Sequence, residues 1–97
     1  MKYFAWNAEK NEQLKVERST SFEDVVTHIE QGAVLDILTH PNEAKYPGQR
    51  IFVVQMYNYA WLVPFVEDTD HIFLKTIIPS RKATRQYLRG LTDESDI

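Results

Sequence analysis

The sequence predicts an α+β fold in which two N-terminal helices precede an antiparallel β-sheet meander and a C-terminal helix. Three observations support this prediction. Apolar residues in the first third of the chain recur at the helical period, short β-branched and aromatic runs from Val34 to Ile78 alternate with turn residues, and a basic segment with a capping residue follows Pro79. The 97 residues, 43% apolar and 26% charged, have the composition of a single globular domain.

The N-terminal segment predicts a short strand followed by a surface helix. Lys2 to Trp6 is rich in aromatic residues, which favour strands. Asn7 is a suitable N-cap for a polar helix that runs to about Arg18. Leu14 is the only large aliphatic residue near its centre, so we expect this helix to contact the domain through a narrow stripe.

A second helix is predicted to begin after Ser21, because Ser21 and Asp24 have the spacing of a capping box. Gly32 is a natural C-terminal stop. The apolar residues between them follow the 3.6-residue period, at Phe22, Val25, Val26 and Ile29.

Four strands are predicted in the central part of the chain. The turns at Asn58 and at Asp68–Asp70 are short enough for antiparallel hairpins, so the last three strands should be neighbours. Pro64 lacks the N–H that a ladder requires, and it predicts an edge position or a bulge. The strands are expected at Val34–Leu38, Ile51–Tyr57, Ala60–Val66 and Ile72–Ile78.

Pro79 is expected to end the strand ladder, and Ser80 to cap a final helix from Arg81 to about Arg89. Residues 1–91 are therefore predicted to form one domain, and residues 92–97 an acidic, mobile tail.

The final helix carries an unusual concentration of positive charge. Five of the eleven basic residues lie between Lys75 and Arg89, where no acidic residue occurs, although the formal net charge is −3. A solvated helix face would explain some of them. Arg81 and Lys82, however, occupy the first turn, where the helix dipole disfavours cations. This arrangement favours an anionic partner, foremost a nucleic-acid backbone.

A long connection, Thr39–Gln49, is a second candidate for function. It carries His40, Lys45 and Tyr46 on a loop bounded by two prolines, Pro41 and Pro47, and Arg50 begins the strand that follows. The alternative is a hairpin made rigid by its prolines, with these polar side chains in water.

Several function classes are disfavoured by the sequence. The chain has no cysteine, its three histidines lack the spacing of metal ligands, and no glycine-rich phosphate loop is present, so neither a metal nor a cofactor is expected. No apolar run approaches 18 residues, and we expect a cytoplasmic protein without a secretion signal. The remaining groups suit metal-free phosphoryl transfer, such as RNA cleavage through its own 2′-hydroxyl.

Three segments, Phe4–Lys10, Ser21–Val25 and Ile77–Arg85, resemble in this order the BrnT family of bacterial toxins, and the resemblance extends over residues 3–89. It implies a RelE-like fold and a ribonuclease toxin of a type II toxin–antitoxin operon. It also implies a cognate antitoxin that binds the toxin tightly and represses the operon through its own DNA-binding region.

The resemblance also implies site residues. Arg50 corresponds to an arginine at the start of a central strand, Arg81 and Lys82 to a basic pair after the last strand, and Arg85 to the next basic position. We expect these residues to hold phosphates and stabilise the transition state, with Tyr87 as proton donor or acceptor. The full expectation is catalysis by Arg50, Arg81, Lys82, Arg85 and Tyr87, and RNA binding by Arg18, Lys45, Lys75 and Arg89.

This chain departs from the family at the positions of two histidines. Glu17–Ser19 stands where many members have Lys-His-Gly, and Phe65 follows Pro64 where a histidine is common. Proton transfer would then need Tyr87, Glu67 or His40. The alternative function is a non-catalytic RNA- or protein-binding module of the same fold.

Overall fold

The computed structural model describes residues 2–88, and the predicted site residue Arg89 and the predicted tail 92–97 lie outside that range. The fold is α+β, as predicted. Its elements follow in the order β1 (Tyr3–Ala5), α1 (Ala8–Arg18), α2 (Phe22–Glu30), β2 (Val34–Thr39), β3 (Arg50–Met56), β4 (Tyr59–Glu67), β5 (His71–Leu74), β6 (Ile78–Pro79) and α3 (Arg81–Tyr87). No helix within residues 2–88 is long and apolar enough to cross a bilayer.

The two N-terminal helices begin at the predicted caps. Asn7 Oδ1 accepts from the N–H of Lys10 at 2.9 Å, and Ser21 Oγ accepts from the N–H of Asp24 at 3.1 Å. Gly32 has a φ of +86° and follows α2, which ends at Glu30. Local hydrogen bonds therefore define these helices much as the sequence indicates.

A buried asparagine joins α1 to α2. Asn11 is 3% exposed, and its Oδ1 accepts from the N–H of Phe22 at 2.8 Å while its Nδ2 donates to Glu23 at 2.7 Å. These bonds satisfy an amide in the first turn of α2 that the helix itself cannot pair, and they fix how α2 follows α1.

The strands form one mixed sheet in the order β1-β5-β4-β3-β2, with β6 paired to β4. Strands β2 to β5 form the predicted antiparallel meander, whereas β1 lies parallel to β5. The predicted strand Ile72–Ile78 is divided into β5 and β6, and Pro79 pairs with Trp61 although it was expected to end the ladder. Tyr57 and Asn58 both have positive φ, which is the geometry of a type I′ hairpin turn.

Pro64 lies in an inner strand, so of the two predicted positions, an edge or a bulge, the structure excludes the edge. On one side Pro64 pairs with Ile51 of β3. On the other side Phe65 pairs with Leu74 and Leu62 pairs with Ile78, so the segment between Leu74 and Ile78 is one residue longer than the part of β4 that it faces. The N–H of Lys75 donates to the Pro64 carbonyl at 2.8 Å, so the carbonyl of Pro64 points towards this irregular segment between β5 and β6. The missing N–H of proline therefore falls where the ladder is irregular.

Helices cover both faces of the sheet. On one face Phe52, Val54 and Phe65 pack with Leu14 of α1 and Phe22 of α2, and the Phe52 and Phe65 rings stack at 4.0 Å. On the other face Val53 and Ala60 pack with Ala83 and Leu88, at and just beyond α3. Burial of one such large side chain contributes about 1.5–3 kcal/mol. The basic helix thus lies opposite α1 and α2.

Candidate functional site

Helix α3 is held against the sheet by hydrogen bonds at its first turn. Ser80 Oγ accepts from the N–H of Ala83 at 3.1 Å, which confirms the predicted cap. The buried Thr84 hydroxyl accepts from the N–H of Ala60 at 2.9 Å and donates to the Ser80 carbonyl at 2.7 Å. Because Ala83 and Thr84 face the sheet, the side chains of Arg81, Lys82 and Arg85 are exposed.

A cleft of about 450 Å³ lies between α3, the end of β2 and the start of β3. Its walls are largely apolar, and a few polar side chains border them, as in many ligand sites. Two of the predicted catalytic residues, Lys82 and Tyr87, line this cleft. The complete lining is Leu38, Thr39, Pro41, Ile51, Leu62, Ser80, Lys82, Ala83, Gln86 and Tyr87.

The hydroxyl of Tyr87 donates to Oδ2 of Asp36 at 2.7 Å. This hydrogen bond, with smaller effects from desolvation and the negative charge of Asp36, raises the pKa of Tyr87 above its ordinary value. The phenol therefore holds its proton more tightly than an ordinary tyrosine does, and the oxygen beside it belongs to the Asp36 carboxyl group. Sequence reasoning missed Asp36; its signal was a single carboxylate in the apolar run Val34–Leu38.

The basic side chains of α3 face solvent without acidic partners among the described residues. None of the ion pairs formed within residues 2–88 involves Arg81, Lys82 or Arg85. Within residues 2–88, therefore, no ion pair has to break before these cations bind a phosphate group.

Arg50 lies on the opposite face of the sheet. Its side chain lies on the same sheet face as that of Phe52. Its Cζ lies 5.1 Å from the centroid of the Phe65 ring, and its Nη2 donates to Oε1 of Glu67. Lys2 Nζ binds the other oxygen of Glu67 at 2.5 Å, and this hydrogen bond is the main cause that lowers the pKa of Glu67. The structure therefore does not bring Arg50 together with the basic residues of α3.

The predicted RNA-binding residues are dispersed. Arg18 is exposed at the end of α1, on the sheet face opposite α3. Lys45 lies in the Thr39–Gln49 connection, with Nζ 5.4 Å from the centroid of the Tyr46 ring. Lys75 Nζ lies 5.7 Å from the centroid of the Phe73 ring. Of these three, Lys75 lies on the sheet face that α3 covers, because its ammonium group is next to Phe73, whose side chain is on that face.

The histidines are engaged outside the cleft. His40 Nδ1 accepts from the N–H of Asn42 at 3.1 Å, and its ring lies 4.4 Å from that of Tyr46. His28 Nδ1 donates to the Asp24 carbonyl at 2.7 Å, and His71 Nδ1 lies 3.7 Å from Asp68. Among the residues that the structure describes, no group of three His, Asp or Glu side chains is arranged to hold a metal ion.

Comparisons with known proteins leave the chain without an assigned relative, since no protein-family model, curated protein or solved structure matches it.

Proposed function

We propose that the chain is the toxin of a type II toxin–antitoxin pair, a metal-independent ribonuclease that acts in the cytoplasm and is neutralised by a DNA-binding antitoxin. The proposal starts from the resemblance of Phe4–Lys10, Ser21–Val25 and Ile77–Arg85 to the BrnT toxins. The observation that carries it is the α3 cleft, which both Lys82 and Tyr87 line, with the Tyr87 hydroxyl hydrogen-bonded to Asp36.

The cleft offers groups for each proton transfer of RNA cleavage. The 2′-oxygen attacks the adjacent phosphorus as the bond to the 5′-oxygen breaks. Tyr87 accepts the 2′-hydroxyl proton while passing its own to Asp36, so the carboxylate is the net base. The ammonium group of Lys82 stabilises the developing negative charge and donates a proton to the leaving 5′-oxygen.

The exposed arginines of α3 hold the flanking phosphates. Arg81 and Arg85 are four residues apart on one face of the helix. An arginine fork binds phosphate oxygens through two parallel hydrogen bonds, which orients the strand as well as attracting it. In this arrangement Arg50 has no role in the chemistry.

The decisive experiment is cleavage of a synthetic RNA by purified protein, with analysis of the new ends. Lys82→Ala, Tyr87→Phe and Asp36→Asn should each abolish or strongly reduce products that carry a 5′-hydroxyl and a 2′,3′-cyclic phosphate. Lys15→Ala is the matched control, because Lys15 is an exposed cation on α1. Growth arrest and loss of total RNA integrity after induction should follow the same pattern.

Two results would contradict the proposal. Folded wild-type protein that generates no RNA ends, or cleavage that all three cleft variants retain, would remove the ribonuclease. Cleavage that a metal chelator abolishes would remove the metal-independent mechanism.

A non-catalytic RNA- or protein-binding module is the second candidate, and the position of Arg50 favours it. The cation that the family resemblance assigns to the phosphate is instead bound to Glu67 on the other face of the sheet. Such a module would retard RNA in a gel but generate no new RNA ends. Lys82→Ala would then weaken RNA binding and have no cleavage activity to reduce.

A further inference from the structure

An aromatic strip lies on the same sheet face as α3, beyond the helix itself. In β1 and β5, Phe4, Ile72 and Leu74 point into the core shared with α1 and α2. Because side chains alternate along a strand, the neighbouring Tyr3, His71 and Phe73 point to the α3 side. The parallel pairing places Tyr3 beside His71, and their rings lie 6.5 Å apart.

This strip is open among the residues that the structure describes. The side chain of Tyr3 is 67% exposed and that of His71 is 51% exposed, whereas Phe73 is half-buried. Helix α3 contacts β4 and reaches β2 through Tyr87 and Asp36, so it crosses the other half of the sheet. The aromatic rings of β1 and β5 are left beside it.

The strip and the α3 cleft lie on the same face of the sheet. Phe73 pairs with Val66 of β4, and Leu62, four residues earlier on the same pleat, lines the cleft. The ammonium group of Lys75 lies over the Phe73 ring, at the end of β5 nearest to β6 and α3. Aromatic rings and cations thus follow one another along a single face.

Charge sets the direction in which a nucleic-acid strand can lie here. Asp68 and Asp70 occupy the turn before β5, where they repel phosphate, while Lys75, Lys82 and Arg85 attract it on the other side. Phosphates are therefore favoured along Lys75 and α3, and uncharged bases over the rings of Tyr3 and His71. A base stacks on Phe73 once the Lys75 ammonium group has turned from that ring to a phosphate.

We infer that Tyr3, His71 and Phe73, with Lys75 beside them, form a stacking platform for the unpaired bases of single-stranded RNA that enters the α3 cleft. This inference rests on the proposed function, and it names the substrate class as unpaired RNA. Every base has a π-face, so aromatic stacking binds single strands with little sequence preference. Duplex bases are already stacked on one another and cannot use the platform.

The test measures binding of an uncleavable, 2′-O-methylated single strand by fluorescence anisotropy, beside its duplex and an abasic strand of equal length. Wild-type protein should prefer the single strand to both. The Tyr3→Leu/Phe73→Leu variant, which keeps apolar side chains, should lose on the order of tenfold or more on the single strand and nothing on the abasic strand. Lys75→Ala should weaken both and reduce the salt dependence.

Tyr57→Leu is the matched control, because Tyr57 is 61% exposed but lies in the turn beside α2. Thermal unfolding of each variant checks that the sheet is intact. Equal binding of the abasic and complete strands by wild-type protein, or unchanged binding by a folded Tyr3→Leu/Phe73→Leu variant, would overturn the platform.

The outcomes separate this inference from the proposed function. If RNA is cleaved in a Lys82-dependent way but the Tyr3→Leu/Phe73→Leu variant binds normally, only the platform is wrong. If stacking is observed but wild-type protein generates no RNA ends, the platform stands and the ribonuclease does not.

Discussion

The Tyr87 hydroxyl donates to Oδ2 of Asp36 across 2.7 Å and so joins the last helix to β2, the strand at one edge of the sheet. The two residues are 51 positions apart in the chain. Their contact places an ionisable pair beside the cleft that Lys82 lines, and the proposed mechanism takes its proton carrier and its proton acceptor from this pair.

The first prediction concerns the alkaline titration of Tyr87. Because the Asp36 hydrogen bond raises its pKa in the folded protein, this contact stabilises the fold below the ordinary tyrosine pKa. That contribution is lost as the pH rises through the folded value. Phenolate absorbance should show Tyr87 ionising at a lower pH in Asp36→Asn than in wild-type protein. Tyr57→Phe is the control, because the hydrogen bond to Asp24 also raises the pKa of Tyr57. This variant removes the titration of Tyr57, so that it is not mistaken for that of Tyr87. Identical curves for Asp36→Asn and wild type would contradict the assignment.

The second prediction separates Arg50 from the cleft. Lys82→Ala should lower the rate constant for RNA cleavage by on the order of 10²-fold, because it removes a cation from the developing charge. Tyr87→Phe should cost on the order of 10²- to 10⁴-fold through loss of the proton relay. Arg50→Ala should leave the single-turnover rate unchanged, since its guanidinium lies on the other sheet face. A loss in Arg50→Ala equal to that in Lys82→Ala would place the chemistry elsewhere.

The third prediction concerns the attachment of α3. Thr84→Val keeps the shape of a buried side chain but leaves the N–H of Ala60 without its acceptor. An unpaired buried donor costs about 1–3 kcal/mol of the free energy of unfolding. Urea denaturation should show a lower midpoint with an unchanged slope. Thr27→Val, at an exposed hydroxyl that donates to the Glu23 carbonyl, is the control and should have little effect. Equal midpoints for the two variants would argue against a structural role for Thr84.

The fourth prediction concerns acid stability through Glu67. Its pKa is lowered chiefly by the hydrogen bond from Lys2, with smaller contributions from the charges of Lys2 and Arg50. A lowered pKa gives stability above the ordinary glutamate value, and this is lost as the pH falls through the folded value. In denaturation experiments across the acidic range, Lys2→Ala should reduce this pH dependence more than Arg50→Ala does. The reverse order would show that Arg50 is the dominant partner.

The elements whose signals lie within a few residues were predictable. Asn7, Ser21 and Ser80 each accept from an N–H three residues later, so a short sequence window contains the whole interaction. The hairpin at Tyr57 and Asn58 is equally local, because its turn consists of these two residues. Asn58 tolerates positive φ, whereas Tyr57 adopts it despite its bulk.

Contacts between distant segments were not predictable in the same way. The alternation along β3 shows that Arg50 and Val53 lie on opposite faces, but the sequence does not show which helix covers each face. Pro64 could be central only because the chain between β5 and β6 interrupts the ladder opposite it. The partnership of Tyr87 with Asp36 likewise depends on how α3 crosses the sheet.

The parallel pairing of β1 with β5 has a consequence for the order of folding. Tyr3 pairs with His71, so 68 positions separate β1 from β5, its one neighbour among the strands of residues 2–88. During synthesis β1 leaves the ribosome early, but it cannot dock until almost the whole domain has emerged. β1 is therefore synthesised well before β5 but incorporated only after it, and β5 keeps an unpaired edge until β1 docks.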